Sequence, residues 1–451
     1  MADHFSQSLR GACSRLLPRH GILRTKYHEP NQQTLELTGE NYDDEFSVKP
    51  AGDMEEAWAQ ARECAHRLYS FPDDGTKVRL SVGLVVASDG TIIVCLSAPR
   101  CAADDVSLGL LLRDLQCIHN KWPLPEGPPM PIHVALAQQA REVEKAFQDA
   151  GDHWRGVMRH ARDALLDIPT DWPRKAGVAR PGAQVPLPLS RRRLATLHTR
   201  ARDLEVSFFE LWAFFWAVAL QQLFRERGAS AGRGLPEDVL IGSSVQARGS
   251  GMAGMVGSCA QEVLLRLRLP FGEPAADVLA KVAQTCREAY LQGSACSPSW
   301  ACTAAGMRAI QPSAWLSIGP GIWLRPTIAA AGEWGKNFYL ADARVLPRVE
   351  VQVDWSLSLD ADEEQRYSML QYNAGLFSAC TATSLVGRLL DLAAAAALAP
   401  PGPSAWPPVG RSVADLCEPA LRASIHDWGL SPDPGSADAR PFEAPGALAP
   451  R

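Results

Sequence analysis

The segment from Leu96 to Leu115 reads LSAPRCAADDVSLGLLLRDL and is the most informative stretch of the chain. It is preceded by a β-branched run, Thr91 to Leu96, that is typical of a strand. From Ser107 to Ile118, leucines recur at helical spacing, which predicts a helix with one apolar face. The residues between these two patterns therefore form a loop that joins a strand to a helix.

Strand and helix signals alternate on both sides of this segment. Val78 to Val86 predicts a strand that a turn at 88–90 joins to the next one. Val349 to Leu359 alternates apolar and polar residues and predicts a half-buried strand. This alternation, in two halves that meet near residue 160, predicts an α+β protein. The other predicted elements are helices over 132–158, 207–225, 275–291 and 378–398 and a strand over 238–241.

The composition is that of an ordinary globular protein, with 46% apolar and 21% charged residues. A chain of 451 residues exceeds what one core usually supports, so two lobes are expected. The net charge of -5 argues against nucleic acid or a membrane surface as partner, and the run Arg191 to Arg193 is interpreted as a solvated face. Eleven cysteines without paired spacing and a polar start at Met1 indicate a reduced, cytoplasmic protein.

One segment, Phe208 to Leu220, is apolar enough to be compared with a membrane span. It is shorter than the roughly 20 residues that a span needs, and Glu210 interrupts it. Ser207 is a plausible N-cap for it. We therefore expect a buried core helix and no membrane partner.

Five stretches resemble, in order and over about 400 residues, the motifs of the condensation domains of non-ribosomal peptide synthetases. Each match is short, and their shared order is what makes the resemblance specific. The family patterns are RHxxLRT, W…LPTDRP, VxIGTPVAxR, VGFFVNTLxLRxxL and YxxxLF. The matching stretches here are Arg19 to Thr25 (RHGILRT), Trp154 to Pro173 (ending in PTDWP), Val239 to Arg248 (VLIGSSVQAR), Val256 to Leu269 and Tyr372 to Phe377 (YNAGLF).

The resemblance implies two chloramphenicol-acetyltransferase-like lobes that form a V with a central tunnel. Residues 1–160 would be the N-terminal lobe and 161–400 the C-terminal lobe. Only 18 residues precede Arg19, fewer than in the family, so the first strand and helix of the N-terminal lobe are expected to be missing. Residues 401–451 would be a linker toward a following adenylation-type domain.

The family's central motif, HHxxxDG, corresponds to residues 99–105, and both histidines are replaced. Pro99 stands at the first histidine position and Arg100 at the second, which is the catalytic one. An amine that attacks a thioester must lose a proton, and an arginine cannot accept one. Asp104 is retained, and the resemblance implies that it pairs with Arg24 and braces the loop.

Two other residues are candidates to replace the missing histidine. His119 lies about three helical turns after the loop and is interpreted as a surface or core histidine. Cys101 lacks an adjacent histidine and is interpreted as a small buried residue. The alternative function is an active amide- or ester-forming acyltransferase that uses a displaced base or proximity alone. A stand-alone acetyltransferase would also need the lost HxxxD histidine.

The main hypothesis is a catalytically impaired condensation-domain homologue that serves as a carrier-protein or partner docking unit. The chain would have no cofactor of its own, because substrates would arrive on the phosphopantetheine arms of carrier proteins. Carrier-protein domains and adjacent synthetase modules are the expected partners. The Arg100, Asp104, Asp105 pattern also resembles the HRxxxDD variant of glycopeptide X domains, which recruit cytochrome P450 enzymes. A recruited tailoring enzyme is therefore a further expected partner.

Overall fold

The computed structural model describes most of the chain between residues 2 and 399. The described residues are 2–28, 32–35, 46–66, 80–98, 102–126, 145–159, 168–174, 180–228, 237–246, 248, 252–304, 311–319, 353–360 and 368–399. The helices in these ranges are α1 Ala2–Arg19, α2 Met54–His66, α3 Asp105–Asn120, α4 Lys145–Arg159, α5 Arg191–Asp203, α6 Phe208–Gly228, α7 Ala275–Ala295, α8 Pro298–Ala304 and α9 Ala379–Leu398. A 3-10 turn covers Gly21–Arg24. The strands are β1 Thr25–His28, β2 Gln32–Leu35, β3 Phe46–Ala51, β4 Ser81–Ala87, β5 Ile92–Ser97, β6 Gly182–Pro186, β7 Asp238–Gln246, β8 Ala260–Arg268, β9 Ala314–Gly319, β10 Trp355–Asp360 and β11 Met369–Asn373.

Among the described residues of the second half, six strands form a mixed sheet with the order β6-β11-β10-β9-β7-β8. Strand β9 is parallel to both of its neighbours, β7 and β10. The pairs β7–β8, β10–β11 and β11–β6 are antiparallel. The large core contains side chains of α5, α6, α7 and α9 together with one face of this sheet. Helix α4 also belongs to this core through the fully buried Trp154, although it precedes residue 160.

Helix α6 confirms the predicted buried core helix. Ser207 and Glu210 cap its start reciprocally: Glu210 N donates to Ser207 Oγ at 3.1 Å and Ser207 N to Glu210 Oε2 at 2.7 Å. Glu210 also accepts from Arg287 Nε at 2.8 Å. The acidic residue that interrupts the apolar run is therefore part of the helix cap and of an ion pair.

The first half contains a smaller sheet of order β3-β4-β5 and a two-stranded β1-β2 ribbon. Helices α1 and α3 and strand β4 form its core, with Leu9, Leu16, Leu84 and Leu111 buried. Val256, from the second half of the chain, also lies in this core. The segment around Val256 therefore packs into the core of the first half.

The predicted elements agree with the described ones in type, and the differences are at their ends. Strand β7 continues to Gln246 rather than ending at 241. The polar Ser243 is accommodated inside the sheet because its Oγ donates a hydrogen bond to Leu316 O at 2.8 Å. The helix predicted over 132–158 overlaps the described helix Lys145–Arg159, and residues 132–144 lie outside the described ranges. Of the strand predicted from Val349, the described part begins at Trp355. Residues 401–451 lie outside the described ranges, so the predicted linker remains a prediction.

Among the described residues, α9 is the one helix that is long and apolar enough to cross a membrane by length and composition. Just over half of its apolar window is buried inside the protein (56%), and a core helix of a globular protein meets the same criteria. Within the described ranges, no group of three or more histidine, cysteine, aspartate or glutamate side chains is placed to hold a metal ion.

Candidate functional site

Asp104 is the centre of a hydrogen-bond cluster at the start of helix α3. It is the N-cap of this helix, and its Oδ1 accepts from Ser107 N at 2.9 Å. This is the capping interaction that an aspartate three residues before a backbone N–H favours. The side chain of Asp104 is 7% exposed, so each of its oxygens needs a partner inside the protein.

Arg248 supplies the opposite charge. Its Nη1 donates to Asp104 Oδ2 and its Nη2 to Asp104 Oδ1, both at 2.7 Å, which is a bidentate pair. The Arg248 side chain is 9% exposed. Arg248 follows strand β7, so the pair joins residues that are 144 positions apart in sequence.

Two backbone amides complete the coordination of Asp104. The N–H groups of Cys259 and Ala260, at the start of strand β8, both donate to its Oδ2 at 3.1 Å. Ser107 Oγ lies 2.7 Å from Asp104 Oδ1 and 2.8 Å from Gly257 O, and accepts from Gly257 N at 3.0 Å. The cluster thus fixes the start of α3 to the segment between β7 and β8.

This environment keeps Asp104 ionised. Burial alone would raise the pKa of its carboxyl, but hydrogen bonds from Arg248 and Ser107 outweigh burial and hold the pKa below its usual value. A carboxylate with this many donors and a lowered pKa is a poor proton acceptor at neutral pH. Asp104 therefore holds the start of α3 against the segment between β7 and β8, and its lowered pKa makes it a weak base at neutral pH.

Of the residues predicted to form the site, Asp104 is the one whose side chain lies among the described residues. Pro99, Arg100 and Cys101 lie outside the described residues, and so does the side chain of Arg24. The predicted Asp104–Arg24 pair therefore remains a prediction. The arginine that the structure does show on Asp104 is one that sequence reasoning missed, although it is the last residue of the stretch resembling VxIGTPVAxR.

His119 lies far from this cluster. It is near the end of α3, 15 residues after Asp104, which corresponds to about 22 Å along a helix. Its ring is 4.8 Å from that of Phe5 in α1. Burial, followed by the nearby His4, lowers its pKa. These contacts agree with the interpretation of His119 as a half-buried structural histidine.

A second buried carboxylate, Asp114, lies in the middle of α3. Its Oδ2 accepts from Arg19 Nε at 2.6 Å and lies 3.1 Å from His20 Nε2, and its Oδ1 accepts from Arg113 Nη2 at 2.7 Å. Burial would raise the pKa of Asp114, but bonds from His20, Arg19 and Arg113 hold it well below the usual range. Arg19 and His20 are the first two residues of the RHxxLRT-like stretch, so this part of the motif anchors α1 to α3.

A third carboxylate, Asp171, belongs to the PTDWP stretch. Its Oδ2 accepts from Ser378 N and Thr381 Oγ1, both at 2.7 Å, and its Oδ1 from Arg227 Nη2 at 2.6 Å. Burial acts to raise its pKa, but bonds from Ser378, Thr381 and Arg227 lower it to about 2. Asp171 therefore links residues 168–174 to the start of α9 and to the end of α6.

The sequence and the fold are similar to those of known proteins. No family model matches the chain. It is 24% identical over 288 residues to tyrocidine synthase 2 of Brevibacillus parabrevis and 29% identical over 304 residues to phosphinothricin tripeptide synthetase PhsC of Streptomyces viridochromogenes. Each match covers 63% of this chain, but only 8% and 26% of those two proteins.

Solved structures with the same fold cover nearly the whole chain. The X-domain from teicoplanin biosynthesis matches with a TM-score of 0.66 and 20% identity, over 88% of each chain. The condensation domain of the monacolin K polyketide synthase MokA matches with a TM-score of 0.67 and 14% identity, over 89% of this chain and 90% of that one. The first condensation domain of the calcium-dependent antibiotic synthetase, in complex with a substrate analogue, matches with a TM-score of 0.65 and 15% identity, over 91% of this chain and 89% of that one.

These matches define the fold class as that of the condensation domains, which are chloramphenicol-acetyltransferase-like, as predicted. The chain therefore has a condensation-domain-like fold, and its sequence is similar to parts of non-ribosomal peptide synthetases. The predicted V shape, its tunnel and the lobe boundaries remain predictions.

Proposed function

We propose that this protein is a condensation-domain homologue that no longer forms amide bonds efficiently and acts as a docking unit for carrier proteins or a partner enzyme. The single observation that carries the proposal is Arg100 at the position of the catalytic histidine, next to an intact Asp104 cluster. The loop brace has been kept while the proton acceptor has been lost.

The chemistry of the missing step supports an impaired reaction. An amine that attacks a thioester gains positive charge on its nitrogen until a base removes a proton. The guanidinium of Arg100 stays protonated at physiological pH, so it accepts no proton and repels that developing charge. Asp104 does not replace the histidine, because its carboxylate already accepts from Arg248, Ser107 and two backbone amides.

Partners and carriers follow from the same proposal. Substrates would be presented on the phosphopantetheine arms of carrier proteins, and the chain would bring no cofactor of its own. Adjacent synthetase modules in the cytoplasm are the proposed setting. One matched solved structure is a complex of the teicoplanin X-domain with OxyB, which supports a recruited tailoring enzyme as a further partner.

The test is single-turnover amide formation between two loaded carrier proteins. The wild type is expected to react far more slowly than the roughly 1 s⁻¹ at the low end of ordinary enzymes. The variant Pro99→His/Arg100→His is expected to react measurably faster, because it restores a group with a pKa near neutrality. A control variant, Arg100→Gln, removes the positive charge without adding a base and should remain slow.

The alternative is an active amide- or ester-forming acyltransferase. Holding two thioesters in the right orientation can supply a large part of the barrier reduction without a base. A wild-type rate near 1 s⁻¹, insensitive to Arg100→Gln, would favour this alternative and contradict the impaired docking unit.

A further inference from the structure

Two buried cysteines of the first half lie beside the same glycine. Cys64 is near the end of helix α2 and Cys95 is in strand β5, and both are free thiols. Gly83, in strand β4, pairs with Cys95 across the β4–β5 ladder. Both cysteines belong to a small core between α2 and the β3-β4-β5 sheet. The proposed function uses neither of them.

Gly83 is the residue that allows the two cysteines to come close. A Cβ atom added to it would lie 3.0 Å from both Cβ and Sγ of Cys64 and 3.5 Å from Cβ of Cys95. The two cysteine Cβ atoms therefore lie within 3.5 Å of one point. This is compatible with the roughly 3.5–4.5 Å that a disulfide requires between its Cβ atoms. A side chain at position 83 would displace Cys64, and glycine is otherwise unfavourable inside a strand.

The surroundings of the two thiols keep them unreactive while α2 is docked on the sheet. Burial, followed by the Cys64 thiol, raises the pKa of Cys95 to about 12. The influence of one thiol on the other agrees with their close approach above Gly83. Because the thiolate is the reactive form of a cysteine, a docked pair reacts slowly with oxidants. The closed structure therefore holds a protected dithiol.

The end of α2 is the place where this dithiol can open. Cys64 lies two residues before His66, the last residue of the helix, and helix ends fray. The core beneath α2 also contains few large side chains. Apart from the two cysteines and Val85, its buried members are alanines, namely Ala51, Ala57, Ala61 and Ala87. A segment held by so little buried apolar surface is expected to open locally more often than the rest of the fold.

We propose that Cys64 and Cys95 are a modification site for hydroperoxides, at which oxidation forms a disulfide that fastens α2 to strand β5. In the cytoplasmic setting proposed above, the pair stays a dithiol until a hydroperoxide is present, since disulfides in reducing compartments are transient. The proposal is independent of amide-bond formation.

The oxidation takes place in two balanced steps. When the end of α2 opens, the thiolate of Cys64 attacks the O–O bond of the hydroperoxide, which gives a sulfenic acid on Cys64 and releases an alcohol, or water from hydrogen peroxide. The thiol of Cys95 then attacks the sulfenic sulfur, the S–S bond forms, and water leaves with the sulfenic oxygen. Each sulfur gives up one electron, the two electrons break the O–O bond, and both thiol protons end on oxygen.

The test is peptide mapping of the full-length protein after treatment with hydrogen peroxide, with free thiols blocked and no reductant added before digestion. We expect a pair of peptides joined through Cys64 and Cys95, lighter by two hydrogen atoms than the separate thiol peptides and separated by dithiothreitol. Cys380 is exposed, so its oxidation shows that the peroxide dose is sufficient. Cys13 is the matched control, because it is also buried and burial also raises its pKa to about 12, and it should stay a thiol.

Hydrogen exchange provides the second measurement, because a disulfide should suppress the local opening of α2. We expect the amides at the end of α2 to exchange about tenfold more slowly, or slower still, in the oxidised wild type. Peroxide-treated Cys95→Ser, which cannot form the bond, should exchange as it does before treatment. Cys64 and Cys95 that both remain thiols at a dose that oxidises Cys380 would overturn the proposal in the wild type alone. A link from Cys64 to a different cysteine, or unchanged exchange of α2 after the disulfide has formed, would overturn it as well.

Discussion

Asp104 and Asp114 lie ten residues apart at helix α3, and arginines from different parts of the molecule hold them. The arginine on Asp104 comes from 144 positions later in the chain, together with two amides from the start of β8. The partners of Asp114 are Arg19 at the end of helix α1, His20 directly after it, and the neighbouring Arg113. One carboxylate joins the two halves of the chain, and the other joins two helices within the first half.

The two clusters also differ in how their arginines reach water. The Arg248 side chain is 9% exposed, whereas those of Arg19 and Arg113 are 14% and 41% exposed. If the carboxylate is lost, an arginine with access to water can be hydrated, but an enclosed one keeps an uncompensated charge. The brace at the candidate site should therefore be the more costly one to break.

The largest effect is expected for Asp104→Asn. This variant keeps the shape of the side chain but leaves Arg248 without a counter-charge, and breaking a buried pair costs about 3–5 kcal/mol. Urea denaturation at neutral pH measures the change in the free energy of unfolding. Adding Arg248→Met should recover part of this loss. If the two single losses simply add, within about 0.5 kcal/mol, the pair does not act as a coupled brace.

A smaller effect is expected for Asp114→Asn. The fully buried oxygens of Asp114 accept from three side chains. Losing their charge should cost about 2–3 kcal/mol, because Arg113, at 41% exposed, can turn toward water and His20, at 1% exposed, can lose its proton and stay neutral. The same denaturation experiment measures it. Asp105→Asn, an exposed aspartate in the first turn of α3, is the control and should change stability by less than about 0.5 kcal/mol. A loss larger than that of Asp104→Asn would reverse the comparison.

The local part of this arrangement could be predicted from the sequence. Strand β5 and helix α3 begin within two residues of their predicted starts, because a β-branched run and a leucine period are signals between neighbours. Ser107, three residues after Asp104, is at the spacing of a capping interaction. That signal was present in the sequence and could have identified Ser107.

The long-range part could not be predicted in the same way. Nothing local in the sequence indicates that Arg248 meets Asp104, or that Val256 enters the core of the first half, because both contacts depend on the arrangement of the two halves. The family resemblance suggested a brace for Asp104 and assigned it to Arg24, whose side chain lies outside the described residues. An arginine–carboxylate pair at Asp104 could therefore be predicted from the sequence. That Arg248 forms such a pair could be found only from the three-dimensional structure.

The smallest effect is expected for Asp171→Asn, which extends the comparison to a carboxylate nearer the surface. The Asp171 side chain is 22% exposed and that of its partner Arg227 is 24% exposed. Solvent screens this pair, so the loss at neutral pH should be about 1 kcal/mol. The amide oxygen of asparagine can still accept from Ser378 N or Thr381 Oγ1, which limits the loss further.

The pH dependence of that loss provides the decisive measurement. The pKa of Asp171 is about 2 in the folded protein, below the roughly 3.9 of an unfolded aspartate. Its contribution to stability is therefore fully present above about pH 4 and is lost as the pH falls through about 2. The difference in unfolding free energy between wild type and Asp171→Asn should be constant from pH 7 to about 5 and should shrink at lower pH. A difference that stays the same down to the lowest pH at which both proteins remain folded would mean that shape, and not charge, holds this segment in place.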